Sequence, residues 1–471
     1  MDKREKFTSK LGFVMACIGS AIGLGNIWMF PYRLGAYGGA AFLIPYFIFV
    51  FILGTTGLIT EFAFGRHFSG GSMTGIMTVF KEKKLKGGKF VGMLPAIGLL
   101  GIFMFYNIVV GWILKYFVLS GTGKLKTIDK DTYFNQFAGS SASIPWDAIA
   151  IVLTVVVICV GVIKGIERVS KIIMPALFVI FILLAIRSLS LPGSMEGVKF
   201  LLQPKWHHLL EVDTWVMALG QAFFTVSLNG CGMVVYGSYL KKDYNIPKLA
   251  ISTAVLDTLA AVLASFVIMP AVFAFGLDVN AGPPLLFMTM PIIFDKMPGG
   301  TIIAIVFFLS LFFAAISSSI NMLEGVVEAI ISNTKLTRVK AVILVGVVTF
   351  VLSIPLNLSM TTFDNFTNLI TVVVSPVMAL LVLIVFYYLY DAKKALAGIN
   401  EGAEKPLGNT FLYFAKYVFT IVTNFGCCSW NCIWRNWVNI RFFQKKENAG
   451  CNKKLQSVFF CSIYGKSLTV P

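Results

Sequence analysis

The sequence predicts an all-α polytopic membrane protein built as two five-helix halves of opposite orientation. Three observations predict it. Hydrophobic residues make up 57% of the chain and charged residues 13%, with a mean hydropathy of +0.82. Apolar runs of ~20 residues recur, and each is long enough to cross a hydrocarbon core of about 30 Å. Two of these runs are broken near their middles by Gly, Ser and Asn: GSAIGLGNIWMFP (residues 19–31) and FFTVSLNGCGMVVY (residues 223–236). Unwound backbone is tolerated at membrane depth only where it is buried in protein or lines a wet cavity. An odd number of spans per half inverts the second half relative to the first, which brings the two broken helices together at the midplane.

In order, spans are expected near 11–34, 40–64, 90–120, 145–163, 168–190, 213–240, 246–276, 300–331, 338–355 and 364–390, with a degenerate eleventh from 409. Residues 1–10 form a cytoplasmic N-terminal segment, and 11–190 the first repeat with spans 1–5. Residues 191–212 form an extracellular loop, 213–390 the second repeat with spans 6–10, 391–408 a cytoplasmic loop, and 409–471 the eleventh span and an irregular tail. The first hydrophobic stretch has span length and runs on into the next, so no cleavable signal peptide is expected.

The formal net charge of +17 suggests a nucleic-acid partner, but the position of the charges excludes that reading. Lys3, Arg4, Lys6 and Lys10 precede the first span, and Lys81, Lys83, Lys84 and Lys86 follow the second. Lys164, Arg168 and Lys171, then Lys241 and Lys242, then Lys335, Arg338 and Lys340 occupy later loops on that same side. This is the positive-inside pattern of a multi-pass protein of the cell (inner or plasma) membrane with a cytoplasmic N-terminus. Cys17, Cys159 and Cys231 lie in spans, while Cys427, Cys428, Cys432, Cys451 and Cys461 crowd the tail. The outer loops lack cysteine, so no disulfide framework is implied there. After Asn424 the hydrophobic run gives way to NFGCCSWNCIWRNW. A metal site there lacks a His partner and regular spacing. A shifted reading frame is the alternative, and with it an inactive product.

The breaks carry the chemistry. A half-helix N-terminus offers free amides and a positive dipole end, so the amides of Leu24 and Gly25 can face a carboxylate. The carbonyls of Ala21 and Ile22, with the Asn26 side chain, can face a cation. The second break repeats this set with Thr225, Ser227 and Asn229. Gly19 and Gly23, spaced as GxxxG, could instead serve helix packing, but a matching second break argues for a site. Ser317, Ser318 and Ser319 offer hydroxyls that suit sodium, or that bond the preceding turn. Asp257 is a mid-membrane carboxylate, for which a cation partner is the default expectation. Glu61 reads equally as a buried or an interfacial acid. Tyr106 and Phe224 read as core aromatics until placed.

The segments GSAIGLGNIWMFPYRLGAYGGAAFLIPYF, TEFAFGR, GQAFFTVSLNGCGMVVYGSYL and FFAAISSSINM resemble the neurotransmitter:sodium symporter family, over about residues 4–420. The likeness is greatest to short bacterial members that carry hydrophobic and aromatic amino acids. It implies a leucine-transporter-like fold and sodium-coupled symport by alternating access, not an enzyme, with tryptophan a leading substrate. The substrate carboxylate would meet Leu24, Gly25 and Tyr106, and its amine Ala21, Phe224, Thr225 and Ser227. Its side chain would lie among Ile102, Phe224, Gly230, Ser318 and Met322. A first sodium would take Ala21, Asn26, Thr225 and Asp257. A second would take Gly19, Ile22, Ala314, Ser317 and Ser318. Chloride is not expected, because Asp257 supplies a fixed negative charge beside the first sodium. The family's outer-gate Arg is Met29 here, so its ion pair with Asp364 is lost. The usual acidic partner of Arg4 reads Ser332, which leaves Glu324 or Glu328 as substitutes. Expected partners are the amino-acid substrate and the lipid bilayer, with no nucleic acid. Other readings are a sodium-independent exchanger of the same fold, or a polytopic enzyme. His67, His207 and His208 fall in loops with no matching catalytic constellation, which disfavours the enzyme.

Overall fold

A computed structural model describes residue 7 and residues 9–130, 132–161, 166–277 and 286–424. No strand occurs among the described residues. The spanning helices are α1 (Lys10–Ala21) and α2 (Gly25–Ala36), which are bent by 48° at their junction, then α3 (Ala40–Phe68). A shorter α4 (Ser72–Glu82) follows, then α5 (Gly88–Gly121), α6 (Ser141–Cys159) and α7 (Arg168–Leu189). The second half opens with α8 (Val212–Thr225) and α9 (Gly232–Ser238), separated by residues 226–231. It continues through α10 (Ile246–Ala274), α11 (Gly300–Ile331), α12 (Arg338–Asn357) and α13 (Met360–Asn400).

Local chemistry sets the ends. The Ser9 hydroxyl accepts from the Gly12 amide at the start of α1. Asn245 does the same for Lys248 at the start of α10, where Pro247 fits because a first-turn residue has no helical acceptor for an amide. Gly161, with φ +100°, follows α6, which therefore stops short of the expected residue 163. Asp391 has extended backbone and caps the amides of Lys393 and Lys394, so helix resumes at Ala392 within the expected cytoplasmic loop.

Burial sorts the spans. The apolar window of α5 is 89% buried, against 33% for α6 and for α7 and 39% for α12. Thus α5 is the central post, with α11 along it, and α6, α7 and α12 present residues such as Val152, Ile186 and Val351 outward. In water such faces would aggregate, whereas lipid solvates them. Close glycine contacts draw α3 against α9. A Cβ at Gly65 would fall 1.9 Å from the Val234 carbonyl oxygen, and one at Gly237 would fall 2.5 Å from that of Phe62. Small residues of this kind replace the hydrophobic drive that lipid does not supply.

Residues 409–424 are helical. Arg4 and the five tail cysteines, with the tail itself, lie outside the described residues.

Candidate substrate and sodium site

The first break is built by the backbone and closed by side chains. Ile22 leaves the helix in an extended conformation with ψ 104°, its amide still bonded to the Ile18 carbonyl at 2.7 Å. The Gly23 amide donates to Asn26 Oδ1 at 3.1 Å, and the Leu24 amide donates to the Tyr106 hydroxyl at 3.1 Å. Glycine is required at 23, because a Cβ would fall 2.3 Å from the Tyr106 hydroxyl and 2.4 Å from Ser318 Oγ. The Gly25 carbonyl accepts from Gln221 Nε2 at 2.7 Å, which ties α2 to α8.

The second break carries two positive φ values, at Ser227 (+56°) and Gly230 (+72°). Asn229 Oδ1 accepts from the amides of Cys231 and Gly232 at 3.0 and 2.9 Å, and so caps α9. Glu61 is buried rather than interfacial, and its Oε1 accepts from the Gly230 amide at 2.8 Å. The Ser375 hydroxyl donates to the Leu228 carbonyl at 3.0 Å. The two breaks touch directly, since Ser227 Oγ donates to the Ser20 carbonyl at 2.8 Å.

Two oxygen clusters flank the breaks. In the first, Asn26 Nδ2 donates to Asp257 Oδ1 at 2.8 Å and Thr225 Oγ1 donates to Asp257 Oδ2 at 2.9 Å, all three fully buried. In the second, Ser318 Oγ lies 3.2 Å from the Gly19 carbonyl oxygen and 3.4 Å from those of Ile22 and Ala314. Ser317 Oγ donates to the Ala314 carbonyl at 2.9 Å. Hard oxygens, neutral but for one carboxylate, are the donor set that freed half-helix ends offer an alkali cation.

A cavity opens between the breaks. Of the residues expected around a substrate, Ala21, Gly25, Ile102, Tyr106, Phe224, Ser227, Ser318 and Met322 line it. Leu24 presents its amide to Tyr106, and Thr225 turns to Asp257. Gly230 requires a correction. It does not line the cavity, and a Cβ there would fall 2.3 Å from the Met378 carbonyl oxygen on α13. Its lack of a side chain serves a left-handed backbone and a close helix approach, not room for substrate. The cavity also takes in Asn229, expected at the second break, and adds Ser20, Gly23, Phe223 and Ser375, which sequence reasoning had not placed there. Ser375, a hydroxyl in an otherwise apolar run, was the available signal.

Known proteins share this fold. The sodium:neurotransmitter symporter family model matches residues 4–139 and 133–444. The chain belongs to this family. An uncharacterised sodium-dependent transporter, YhdH, of Bacillus subtilis is 38% identical over 436 residues, covering 88% of this chain and 95% of the relative. A sodium-dependent transporter of Methanocaldococcus jannaschii is 30% identical over 448 residues, covering 89% of each. The crystal structure of MhsT in complex with L-phenylalanine superposes with a TM-score of 0.83 at 34% identity, covering 91% of this chain and all of that one. The symporter therefore has the leucine-transporter fold with broken first and sixth helices.

The symporter's departures from its family can now be placed. Met29 is buried and apolar, but Arg33, one turn farther along α2, is 2% exposed. Its Nη1 donates to Gln221 Oε1 at 2.9 Å. A guanidinium thus stands above the breaks despite Met29. On the opposite side Glu324 is engaged by Tyr239 at 2.5 Å and by Arg338. Glu328 accepts from the Gly71 amide at 3.0 Å and from the Ser332 hydroxyl at 2.7 Å.

Proposed function

We propose that the chain imports a hydrophobic or aromatic amino acid with sodium across the plasma membrane by alternating access, tryptophan being the leading candidate. The observation that carries this reading is the direct contact of the two breaks beside a cavity. Residues of both breaks line it, together with the Tyr106 phenol and the Ser227, Ser318 and Ser375 hydroxyls. Leu24, Gly25 and Tyr106 would receive the carboxylate, and Ala21, Phe224, Thr225 and Ser227 the amine. Ile102, Phe224, Met322 and Phe223 give the side chain an apolar wall, and about 0.8 kcal/mol per buried CH₂ favours large substrates over glycine or alanine. Phenylalanine bound to the similar MhsT supports an aromatic substrate.

Two sodium ions would travel with it, one on Ala21, Asn26, Thr225 and Asp257 and one on Gly19, Ile22, Ala314, Ser317 and Ser318. Chloride is not required in this reading, because Asp257 already provides the negative charge. The N-terminus lies in the cytoplasm on the strength of the basic loops. The test is uptake of labelled tryptophan, leucine and alanine into proteoliposomes, with sodium or choline outside. Sodium-dependent uptake in the order tryptophan, leucine, alanine is expected. Counterflow at full rate in choline would replace this reading with exchange.

A further inference from the structure

The loop between α7 and α8 carries chemistry that transport does not use. His207 and His208 lie in a 3₁₀ turn (Trp206–Leu210), and Glu211 follows it. One ligand atom from each of the three side chains lies within 4.8 Å of the other two. His208 Nδ1 is 2.8 Å from Glu211 Oε2, and the two imidazole centroids are 4.2 Å apart. His207 and Glu211 are exposed, so the group is open to solvent.

The turn is preorganised. The His208 amide donates to the Lys205 carbonyl at 3.1 Å, and the Glu211 amide to that of His208 at 3.2 Å. Trp215 Nε1, on α8, donates to the Leu209 carbonyl at 2.9 Å. The His208 ring rests on the turn after α2, where a Cβ at Gly38 would fall 2.2 Å from its Cδ2. Two imidazoles and one carboxylate are the ligand set of a transition-metal site with an open fourth position. Zinc bonds of ~2.1 Å in a tetrahedron set ligand atoms ~3.4 Å apart, a rotamer adjustment away.

We propose that His207, His208 and Glu211 bind a divalent transition ion such as Zn²⁺, and that the bound ion slows transport. The turn is seated on the end of α2 and the start of α8, the two half-helices on the same side of the breaks. An ion that locks the turn opposes their relative movement. This second half of the proposal rests on the transport reading above; the binding half does not.

The test uses the purified full-length protein with any affinity tag removed, and competition of Zn²⁺ with a chromophoric chelator. One zinc per chain is expected, with affinity at least about tenfold weaker in His207→Ala and in His208→Ala. Glu211→Gln should weaken it less, and His67→Ala, which removes the remaining imidazole, should change nothing. His207 is exposed and its replacement leaves the His208 seat intact, so misfolding cannot account for its loss. Absence of binding, or wild-type affinity in both His→Ala variants, overturns the site. In proteoliposomes, external Zn²⁺ should slow uptake by the wild type several-fold and leave His207→Ala unaffected. Zinc bound with unchanged uptake overturns the regulatory half.

Discussion

Asp257 sits between Asn26 on one broken span and Thr225 on the other, so a single carboxylate links both breaks. Replacing it with Asn keeps an oxygen and removes the charge. In Asp257→Asn the sodium concentration for half-maximal uptake should rise about tenfold, roughly 1.4 kcal/mol, while wild-type uptake should be unchanged when gluconate replaces chloride. Chloride-dependent wild-type uptake would refute the charge argument. Ser318 approaches three backbone carbonyls and Ser317 one, so Ser318→Ala should raise the sodium requirement more than Ser317→Ala. A sodium titration of both variants checks the order. Gly230→Ala meets a positive φ and the Met378 carbonyl at once, and should cost about 1–3 kcal/mol of stability. It should weaken tryptophan and leucine equally, because the residue shapes the break rather than the cavity. Thermal unfolding and competition binding together test this.

At the scale of elements, the half-helices are held by side chains from their neighbours. Gln221 holds the Gly25 carbonyl and accepts from Arg33, so one chain of hydrogen bonds joins α2 to α8 on the side of the breaks opposite Glu324 and Arg338. Breaking it should let that side open. In Arg33→Met a cysteine placed at Met29 should react with an external thiol reagent several-fold faster than in the Arg33 background, and uptake should slow. Equal labelling rates would show that α2 and α8 are held together by packing alone. On the other side, Arg338 and Tyr239 both engage Glu324, which joins the start of α12 to α11 and to the chain just after α9.

For the whole molecule the question is what drives accumulation. The two sodium ions proposed above, moving down ~100 mV and a tenfold gradient, would supply about 7.4 kcal/mol, enough for roughly 10⁵-fold accumulation. An inside-negative potassium diffusion potential should therefore accelerate uptake, and its collapse should lower the plateau. Uptake insensitive to potential would contradict a cycle in which sodium carries net charge inward. The outward faces of α6, α7 and α12 require lipid, so delipidation should inactivate the protein before it disrupts the enclosed α5.

Span positions, the two breaks, the buried acid and the serine cluster were legible in the sequence. Each leaves a local mark: a run of apolar residues of membrane length, or a polar residue where lipid would penalise one. The broken helices at 19–31 and 223–236 could be paired because their interruptions recur in two halves. Where a side chain points, and what it meets, depends on helices far apart along the chain. Gly230 read as pocket space until α13 was seen against it, and Glu61 read as a possible surface acid until α9 was folded over it. Arg33 carried no signal, since an arginine near a span end is ordinarily interfacial; the approach of Gln221 from α8 gives it a partner across the helices. His207 and His208 read as loop residues until a 3₁₀ turn set both beside Glu211. Thus the sequence by itself determined the class, the spans and the atoms free to bind, because the membrane imposes those constraints locally. Tertiary structure decided which of those atoms converge, because convergence depends on close approach between helices that local sequence does not encode.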